Sequence, residues 1–313
     1  METAGSSPIV PSRRIFIAGP TAVGKSEIAL RLAEKIGGEI ISVDSMQVYR
    51  GMNLGTSKPS ADERARIPHH LVDVCELSES FDAARFCQLA GQAAVEIESR
   101  NRVPIFCGGS GLYFRAFLEG LGDAPPANPA VRIELEQVPL EALLLELEKS
   151  DPATFARIDR QNRRRVLRAV EVFRITGKPF SPQRAAWTPT PRTGSSFFAL
   201  KRTTADLQAR INGRVDRMFA NGLVEETRQL LERGLNKNPT AMQALGYRQI
   251  VEMLQKGRPL LETIELVKIR TRQFAKRQMT WFQRQSDARW LDLTTPAHSA
   301  EATAVILSKL APP

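Results

Sequence analysis

The stretch "IFIAGPTAVGKSEIAL", Ile15 to Leu30, decides the fold, because it predicts a strand, a glycine loop and a helix in succession. The apolar run Ile15–Ala18 predicts a buried strand. After the loop, apolar residues recur at helical spacing until Gly37 and Gly38 end the helix. A strand that passes through a glycine loop into a helix is the context in which phosphate-binding loops occur.

The loop matches the pattern G-x-x-x-x-G-K-[ST]. In such a loop the backbone N–H groups turn inward, the helix N-terminus adds positive potential and the lysine adds a full charge. The serine hydroxyl is a ligand for Mg²⁺. We therefore expect a chain of phosphates to bind here, although the pattern alone does not specify ATP. The residues of the predicted phosphate site are Gly19, Pro20, Thr21, Ala22, Val23, Gly24, Lys25 and Ser26.

Composition excludes several classes of protein. The chain has 313 residues and a formal net charge of +10, and it contains no apolar run long enough to predict a membrane-spanning helix. The N-terminal stretch "METAGSSPIVPSRR" lacks the apolar segment of a secretory signal. Cys75, Cys87 and Cys107 have no C-x-x-C spacing, which predicts neither zinc nor a disulfide framework. These features predict a cytoplasmic protein with no membrane partner.

The pattern of predicted strands and helices changes twice along the chain. Residues 1–121 alternate strand-like runs with helical stretches, which is typical of a parallel sheet wound by helices. Residues 122–193 begin and end in proline-rich passages and are helical between them, after which "SSFFALKR" resumes the strand pattern. We predict an α/β fold with a P-loop core in 1–121, a helical insertion domain at 122–193, and a mostly helical continuation of the core in 194–313.

Positive charge is concentrated in two windows. The window Arg157–Arg174 has seven arginines against Asp159 and Glu171, a net charge of +5. The window Lys268–Arg289 has seven basic residues against Asp287 alone, a net charge of +6. A single basic helix face is usually just solvated. Two such windows beside a phosphate-binding core favour a polyanionic partner.

The second window also has an ordered pattern. Lys268, Arg272 and Lys276 fall every four residues and so predict one stripe on a helix. Trp281 and Phe282 beside them have two interpretations, either rings that stack on bases or helix residues buried in the core. We expect two phosphate-bearing ligands, one small in the loop and one long across the basic surface.

Asp44 follows the apolar run Ile40–Val43, which predicts a second strand. In open parallel sheets the carboxyl ends of strands line the ligand crevice, so we expect Asp44 near the ligand of the loop. Three roles stay open for it: a structural turn, a ligand of Mg²⁺ through water, or a base that accepts a proton. The lack of a guanine-reading N-K-x-D box argues against a GTPase.

Seven blocks of the sequence resemble the tRNA dimethylallyltransferases, and they occur in order over nearly the whole chain. They are "GPTAVGKS", "ISVDSMQVYRGMNLGTSKP", "IPHHLVDV", "FCGGSGLYFRAFLEGL", "RVDRMFANGLVEE", "QALGYRQ" and "TRQFAKRQMTWF". The resemblance implies transfer of a dimethylallyl group from dimethylallyl diphosphate to N6 of adenosine 37, in the anticodon stem-loop of tRNA. It also implies that the loop holds the isoprenoid diphosphate without nucleotide hydrolysis. We expect a monomer.

The resemblance implies catalytic roles for three residues. Asp44 would accept the proton of the adenine amine, which is a weak nucleophile. The block "RVDRM" places a diphosphate-binding arginine at Arg214, with Arg217 as the alternative. Thr21 would contact the diphosphate or the amine. A Mg²⁺ on Ser26 would help to stabilise the leaving group.

The resemblance also maps contacts with tRNA onto five parts of the chain. They are Asp44, Ser45, Met46 and Gln47; Ser110; Arg132; Gln161, Asn162, Arg163, Arg164 and Arg165; and Gln243, Ala244, Leu245, Gly246, Tyr247 and Arg248. Asn162 stands where the family often has aspartate. The structural alternatives are that Ser110 caps a helix and that Tyr247 packs in the core.

Two other classes of function use the same features. A small-molecule kinase would use the P-loop, with Asp44 as the base for a hydroxyl, but it would leave the basic windows unexplained. An RNA-binding protein without activity would use the windows and would not require both Lys25 and Asp44.

Overall fold

The structure, a computed structural model, describes residues 14–185, 196–286 and 288–310. Its strands are β1 Ile15–Ala18, β2 Gly38–Val43, β3 His69–His70, β4 Val103–Gly108, β5 Ser196–Lys201 and β6 Arg289–Asp292. Among the described residues they form one parallel sheet in the order β3-β2-β4-β1-β5-β6. The α/β class predicted from the alternating pattern is therefore confirmed, and β1 lies in the interior of the sheet.

Helices connect most of the strands. In chain order they are α1 Lys25–Ile36, α2 Ala61–Arg66, α3 Ala83–Ser99, α4 Gly111–Glu119, α5 Pro129–Gln137, α6 Leu140–Ser150, α7 Pro152–Phe155, α8 Arg163–Thr176, α9 Phe180–Gln183, α10 Thr204–Ala220, α11 Leu223–Glu232, α12 Tyr247–Lys256, α13 Leu260–Gln285 and α14 Pro296–Leu310. Gly37 ends α1 with a left-handed φ of 65°, but Gly38 already belongs to β2. Within the described ranges, no helix has the length and apolar character needed to cross a membrane.

The described residues divide into two compact units. Unit 1 contains residues 14–114 and 196–310, and unit 2 contains residues 115–185. The sequence predicted an insertion at 122–193, and the end of that range lies outside the described residues. The boundary between the units lies within α4, so unit 2 begins earlier than the proline-rich passage.

Side chains of β1 pack alternately on the two faces of the sheet in unit 1. Ile17 belongs to a buried apolar cluster with residues of α1 and α14. Phe16 points to the opposite face, where its ring centroid lies 4.8 Å from that of Phe106. Phe114 and Phe282 extend this aromatic cluster, with centroids 6.1 Å apart. The core interpretation of Phe282 is confirmed, and this contact packs α13 against α4.

Unit 2 is built from helices around its own apolar core. Buried residues of α5, α6 and α8 form this core, and they include Leu135, Leu143 and Val170. Glu171 is a fully buried carboxylate on α8, and it accepts hydrogen bonds from Arg132 Nε at 3.0 Å and from Arg168 Nη1 at 2.7 Å. It also accepts one from the backbone N–H of Asn128 at 2.9 Å. Because a buried carboxylate requires such partners, Glu171 ties the start of α5 to α8.

We predict that Glu171→Ala destabilises unit 2 by about 2–3 kcal/mol. Removal of one partner from a buried ion pair leaves groups without compensation and costs about 3–5 kcal/mol. The cost is smaller here because both guanidinium groups are partly exposed. Hydrogen exchange of the α5 and α8 amides measures the change. Glu148→Ala, at an exposed position on α6, is the control, and equal exchange in the two variants would contradict the prediction.

Candidate active site

The phosphate loop occupies the turn between β1 and α1, as predicted. Gly19 and Gly24 have φ angles of 150° and 110°. A Cβ atom at Gly19 would lie 2.8 Å from the backbone oxygen of Leu200 in β5, so a larger residue would push the loop away from the sheet. Gly24 is the N-cap of α1 and supplies no side-chain hydrogen bond. The first N–H groups of α1 have no side-chain cap and can therefore donate to an anion.

Lys25 lies under the loop and its ammonium group donates to the backbone oxygen of Pro20 at 2.8 Å. Burial lowers the pKa of Lys25 to about 8, and the positive charge of Arg214 contributes to the decrease. The negative charge of Asp44 opposes it. Because a bound phosphate group would favour the charged form, the position suits an anionic ligand.

Helix α10 presents arginines to the loop. Arg210, Arg214 and Arg217 are spaced four and three residues apart, so they share one face of the helix. Arg210 Nε donates to the backbone oxygen of Ala22 at 2.9 Å, and Arg214 Nη1 donates to Thr21 Oγ1 at 3.2 Å. Burial lowers the pKa of Arg214 to about 10, which leaves it charged at neutral pH.

The loop and α10 border one cleft of about 660 Å³, which we call the α10 cleft. Its lining has six basic side chains and only two acidic ones, and one of the acidic side chains, Glu27, is paired with Arg31 at 2.8 Å. The excess of positive charge suits a ligand of two or more phosphates. The lining residues are Ala22, Gly24, Lys25, Ser26, Glu27, Leu30, Arg31, Glu63, Arg66, Ala209, Arg210, Gly213, Arg214 and Arg217.

Asp44 directly follows β2 and has a structural role in its turn. Its Oδ1 accepts hydrogen bonds from the backbone N–H groups of Met46 at 2.8 Å and Gln47 at 3.2 Å. Among the described residues, none donates to Oδ2. The negative charge of the carboxylate opposes the decrease in pKa of both Lys25 and Arg214. Asp44 therefore acts electrostatically on two cations of the α10 cleft. The turn therefore holds Oδ1 in hydrogen bonds, whereas Oδ2 is available to bind a substrate.

Ser110 lies at the neighbouring strand end, close to Asp44. Its backbone N–H donates to the oxygen of Val43 at 3.2 Å, and its own oxygen accepts from Phe114 in the first turn of α4. A Cβ atom at Gly108 would lie 2.0 Å from the oxygen of Val43, so glycine permits this close approach. The helix-cap alternative is therefore met by the backbone oxygen of Ser110, and its side chain is half-buried.

Gln47, predicted to contact tRNA, is engaged within the chain. Its side-chain oxygen accepts from Ser42 Oγ at 2.8 Å. Its amide group donates to the backbone oxygens of Thr56 and Ser57, both at 3.1 Å. Ser45 and Met46 beside it are half-buried. Gln47 thus holds the loop that follows Asp44 in place.

The stretch from Gln243 to Arg248 is mostly internal. Ala244, Gly246 and Tyr247 are buried and Leu245 is half-buried, so in this stretch only Gln243 and Arg248 have exposed side chains. Arg248 pairs with Glu252 at 3.0 Å. The hydroxyl of Tyr247 donates to Glu226 at 2.5 Å and accepts from the N–H of Gly55 at 3.0 Å. The packing alternative for Tyr247 therefore describes the structure, because its ring and its hydroxyl both lie inside unit 1.

The predicted tRNA contacts of unit 2 differ in exposure. Arg132 pairs with Glu171, and Arg163 Nη2 donates to three backbone oxygens at the end of α5. Asn162 caps α8 by accepting from the N–H of Arg165. The exposed side chains of this group are Gln161, Arg164 and Arg165.

Gln278 of α13 is a site residue that was not predicted. Its side-chain oxygen accepts from the N–H of Thr21 at 2.9 Å, and its amide donates to the oxygen of Gly109 at 2.9 Å. A Cβ atom at Gly109 would lie 2.3 Å from that amide nitrogen. This buried side chain therefore joins the phosphate loop to the turn that carries Ser110. Helical periodicity gives no signal for such a bridge, because it forms between residues distant in sequence.

Known proteins resemble this chain over most of its length. A family model described as IPP transferase matches residues 47–285. A tRNA dimethylallyltransferase 1 of Citrifermentans bemidjiense is 43% identical over 279 residues, which is 89% of this chain and 91% of that protein. A tRNA dimethylallyltransferase of Geobacillus kaustophilus is 44% identical over 283 residues, which is 89% of this chain and 90% of that protein.

Solved structures show the same relationship. The crystal structure of a full-length tRNA isopentenylpyrophosphate transferase from Bacillus halodurans superposes with a TM-score of 0.70 at 38% identity, and the match covers 96% of this chain and 97% of that one. A eukaryotic dimethylallyltransferase, described in crystallographic snapshots as acting on tRNA, matches with a TM-score of 0.75 at 29% identity, over 94% of this chain and 78% of that one. The chain belongs to the IPP transferase family.

We predict that diphosphate binding weakens as the pH rises through about 8. Diphosphate binds best when Lys25 is charged. Because the pKa of Lys25 in the free protein is lowered to about 8, the charged form is lost above about pH 8. A bound anion raises this pKa, so affinity falls by up to about tenfold per pH unit until the pKa of the complex is reached.

Isothermal titration of dimethylallyl diphosphate between about pH 7 and pH 9 measures this dependence. Lys25→Arg is the matched control, because arginine keeps its charge over that range and should lose the inflection near pH 8. An identical inflection in both proteins would assign the titration to another group.

Proposed function

We propose that this chain transfers a dimethylallyl group from dimethylallyl diphosphate to N6 of adenosine 37 of tRNA and releases diphosphate. Relatives that share 43–44% identity over nine-tenths of the chain are named tRNA dimethylallyltransferases. The observation that carries the proposal is the α10 cleft, where Lys25 and Arg214 meet the phosphate loop and Asp44 acts on both. Cations at the phosphate loop, with the Asp44 carboxylate close enough to act on them, suit diphosphate departure coupled to loss of a proton.

The reaction breaks the bond between the allylic carbon and the diphosphate oxygen and forms a bond between that carbon and N6. The exocyclic amine is a weak nucleophile, because its lone pair is delocalised into the adenine ring. A carboxylate that accepts the N6 proton therefore assists the attack. We assign this role to Asp44, because two backbone N–H groups orient its carboxylate through Oδ1. Oδ2 is the atom that receives the proton.

The leaving diphosphate gains negative charge as the carbon–oxygen bond breaks. Lys25, Arg214 and the N–H groups at the start of α1 offset that charge, and they are already in place before the reaction. Thr21 accepts from Arg214 and so positions the guanidinium group beside the loop. Arg217 lines the same cleft and is proposed as a second contact with the diphosphate.

The donors around Ser26 fit a Mg²⁺ ion bound together with a diphosphate. The Ser26 side chain is exposed and lines the α10 cleft beside Lys25. Mg²⁺ prefers one or two protein oxygens combined with phosphate oxygens and water. The Ser26 hydroxyl would hold the ion, which supplies Lewis-acid stabilisation of the diphosphate charge when it is bound.

The tRNA contacts of the proposal rest on the exposed members of the predicted set. Gln161, Arg164 and Arg165 in unit 2 and Gln243 and Arg248 in unit 1 are exposed and polar or charged, which suits contact with a phosphate backbone. We propose that the protein acts as a monomer, because every group assigned to the chemistry comes from one chain.

We predict that Asp44→Asn lowers turnover by about 10²–10⁴-fold, the usual contribution of a positioned base. The variant keeps an oxygen that accepts from Met46 and Gln47, so the turn is retained, but it cannot accept the amine proton. The affinity for dimethylallyl diphosphate should be unchanged or slightly higher, because a negative charge near the cleft is removed. The measurement is the mass of tRNA nucleosides after incubation with the protein, dimethylallyl diphosphate and Mg²⁺, where the product is adenosine with one added C₅H₈ unit.

A titration of Mg²⁺ separates the two functional roles that the sequence left open for Asp44. If it anchored the metal ion, excess Mg²⁺ would restore the rate of Asp44→Asn, and such a rescue would overturn the assignment as base. If the wild-type protein added no C₅H₈ unit to tRNA under any of these conditions, the proposed function itself would be wrong.

A further inference from the structure

A buried ion pair contacts the segment that follows Asp44. The Lys58 side chain is only 2% exposed, and its Nζ lies 2.5 Å from Asp73 Oδ1. Asp73 Oδ2 accepts a hydrogen bond from Arg64 Nη1 at 2.8 Å. Although burial alone would raise the pKa of Asp73, the hydrogen bonds from the two cations hold it below its ordinary value. Asp73 is therefore ionised at neutral pH.

The ammonium group of Lys58 has no donor left for a substrate. It donates to Asp73 Oδ1, to the backbone oxygen of Tyr49 at 2.5 Å and to Asn53 Oδ1 at 3.3 Å. A lysine has three N–H donors, so these contacts use all of them. Lys58 and Asp73 also do not line the α10 cleft. Any effect of this ion pair on the reaction must therefore pass through other residues of the protein.

Two hydrogen bonds connect the ion pair with the carboxylate of Asp44. The backbone N–H of Asp73 donates to the backbone oxygen of Gln47 at 3.1 Å. The backbone N–H of Gln47 donates in turn to Asp44 Oδ1 at 3.2 Å. Because Gln47 takes part in both bonds, its position determines where Oδ1 is held.

The ion pair also spans a short parallel pairing between two loop segments. Tyr49 pairs with Cys75, and the N–H of Cys75 donates to the backbone oxygen of Val48 at 2.9 Å. Lys58 joins the two sides of this pairing, because it donates to Tyr49 on one side and to Asp73 on the other. Removal of the ammonium group would leave a backbone oxygen and a carboxylate oxygen without this donor.

The backbone of Asp73 adopts a conformation that is uncommon outside glycine. Its φ angle is 57°, in the left-handed region. Such conformations persist where the surrounding contacts over-determine them, and they concentrate at functional sites. The bonds from Lys58 and Arg64 to the Asp73 carboxylate hold the conformation in which its N–H reaches Gln47.

We propose that Lys58 and Asp73 are positioning residues for Asp44. Their ion pair holds Gln47 in place, and Gln47 orients the Asp44 carboxylate so that Oδ2 meets the N6 proton. A displacement of about 1 Å at a reacting group costs on the order of 100-fold in rate. The inference rests on the proposed function and adds to it two residues that act through Asp44.

A role in fold stability alone would give a different result, and Glu39 provides the matched control. Glu39 is buried at the opposite end of β2 from Asp44, where it accepts from Arg100 Nη2 at 2.9 Å and lies 2.6 Å from His70 Nε2. Loss of a partner from a buried ion pair lowers stability wherever the pair lies. Glu39→Gln should therefore lower the melting temperature and leave the rate of the chemical step unchanged.

The test is a double-mutant cycle between Lys58 and Asp44. Single-turnover rates are measured for the wild-type protein, Lys58→Met, Asp44→Asn and the double variant, with protein in excess over tRNA and with saturating dimethylallyl diphosphate. The product is adenosine with one added C₅H₈ unit. Asp73→Asn, which keeps the backbone N–H, is a milder second variant and is combined with Asp44→Asn in the same way.

We expect Lys58→Met to lower the single-turnover rate by about 10–100-fold when Asp44 is present. In the Asp44→Asn background the same change should lower the rate by less than about twofold, because residues that act as a unit have non-additive effects. The affinity for dimethylallyl diphosphate, measured by isothermal titration, should match that of the wild-type protein.

Hydrogen exchange gives a readout that does not depend on activity. The amides of Met46 and Gln47 donate to Asp44 Oδ1, so their exchange reports how firmly the carboxylate is held. Their exchange should be faster in Lys58→Met than in the wild-type protein, and it should be unchanged in Glu39→Gln.

An equal fractional loss of rate in both backgrounds would overturn the inference, because Lys58 would then act independently of Asp44. Unchanged exchange at Met46 and Gln47 in Lys58→Met would also overturn it. If Lys58→Met did not fold, Asp73→Asn would decide by the same criteria. In each case, modification of tRNA by the wild-type protein would leave the proposed function intact, whereas its absence would make both the function and this inference wrong.

Discussion

Partly buried positive charge beside the phosphate loop is the constraint on which the rest of the structure depends. Burial lowers the pKa values of Lys25 and Arg214. The charge of Arg214 lowers the pKa of Lys25 further, and the charge of Arg217 does the same to Arg214. Such an arrangement costs stability in the free protein, and an anion that binds there offsets the cost. Asp44 opposes the charge only in part. The site therefore keeps an excess of positive charge that a bound diphosphate would neutralise.

Thr21 is the residue at which two helices of unit 1 meet the loop. Arg214 of α10 bonds to its hydroxyl, and Gln278 of α13 bonds to its N–H. These two contacts hold the loop between α10 and α13. A single residue thus links the predicted diphosphate position to both helices.

Many residues in the recognisable sequence blocks maintain the shape of the site. Within the blocks, Gln47 holds the loop after Asp44 and Tyr247 joins Glu226 to Gly55. Outside them, Arg163 satisfies carbonyl groups at the end of α5 in the same way. Buried polar groups require partners, so each of these side chains is constrained as strictly as a residue that contacts substrate. Conspicuous polar residues in such blocks are therefore divided between structure and recognition, and exposure separates the two.

The sequence by itself determined the parallel α/β fold, the phosphate loop and the position of Asp44 at a strand end. These features are local, because the apolar runs, the glycine spacing and the Lys25-Ser26 pair lie within short segments. Only the tertiary structure decided that Lys268 pairs with Asp216 and Glu265, and that Arg272 donates to Asn212. It also decided that Gln278 bridges Thr21 and Gly109. Such outcomes depend on which partners the packed helices bring within hydrogen-bond distance, and periodicity along one helix carries no information about the residues of another.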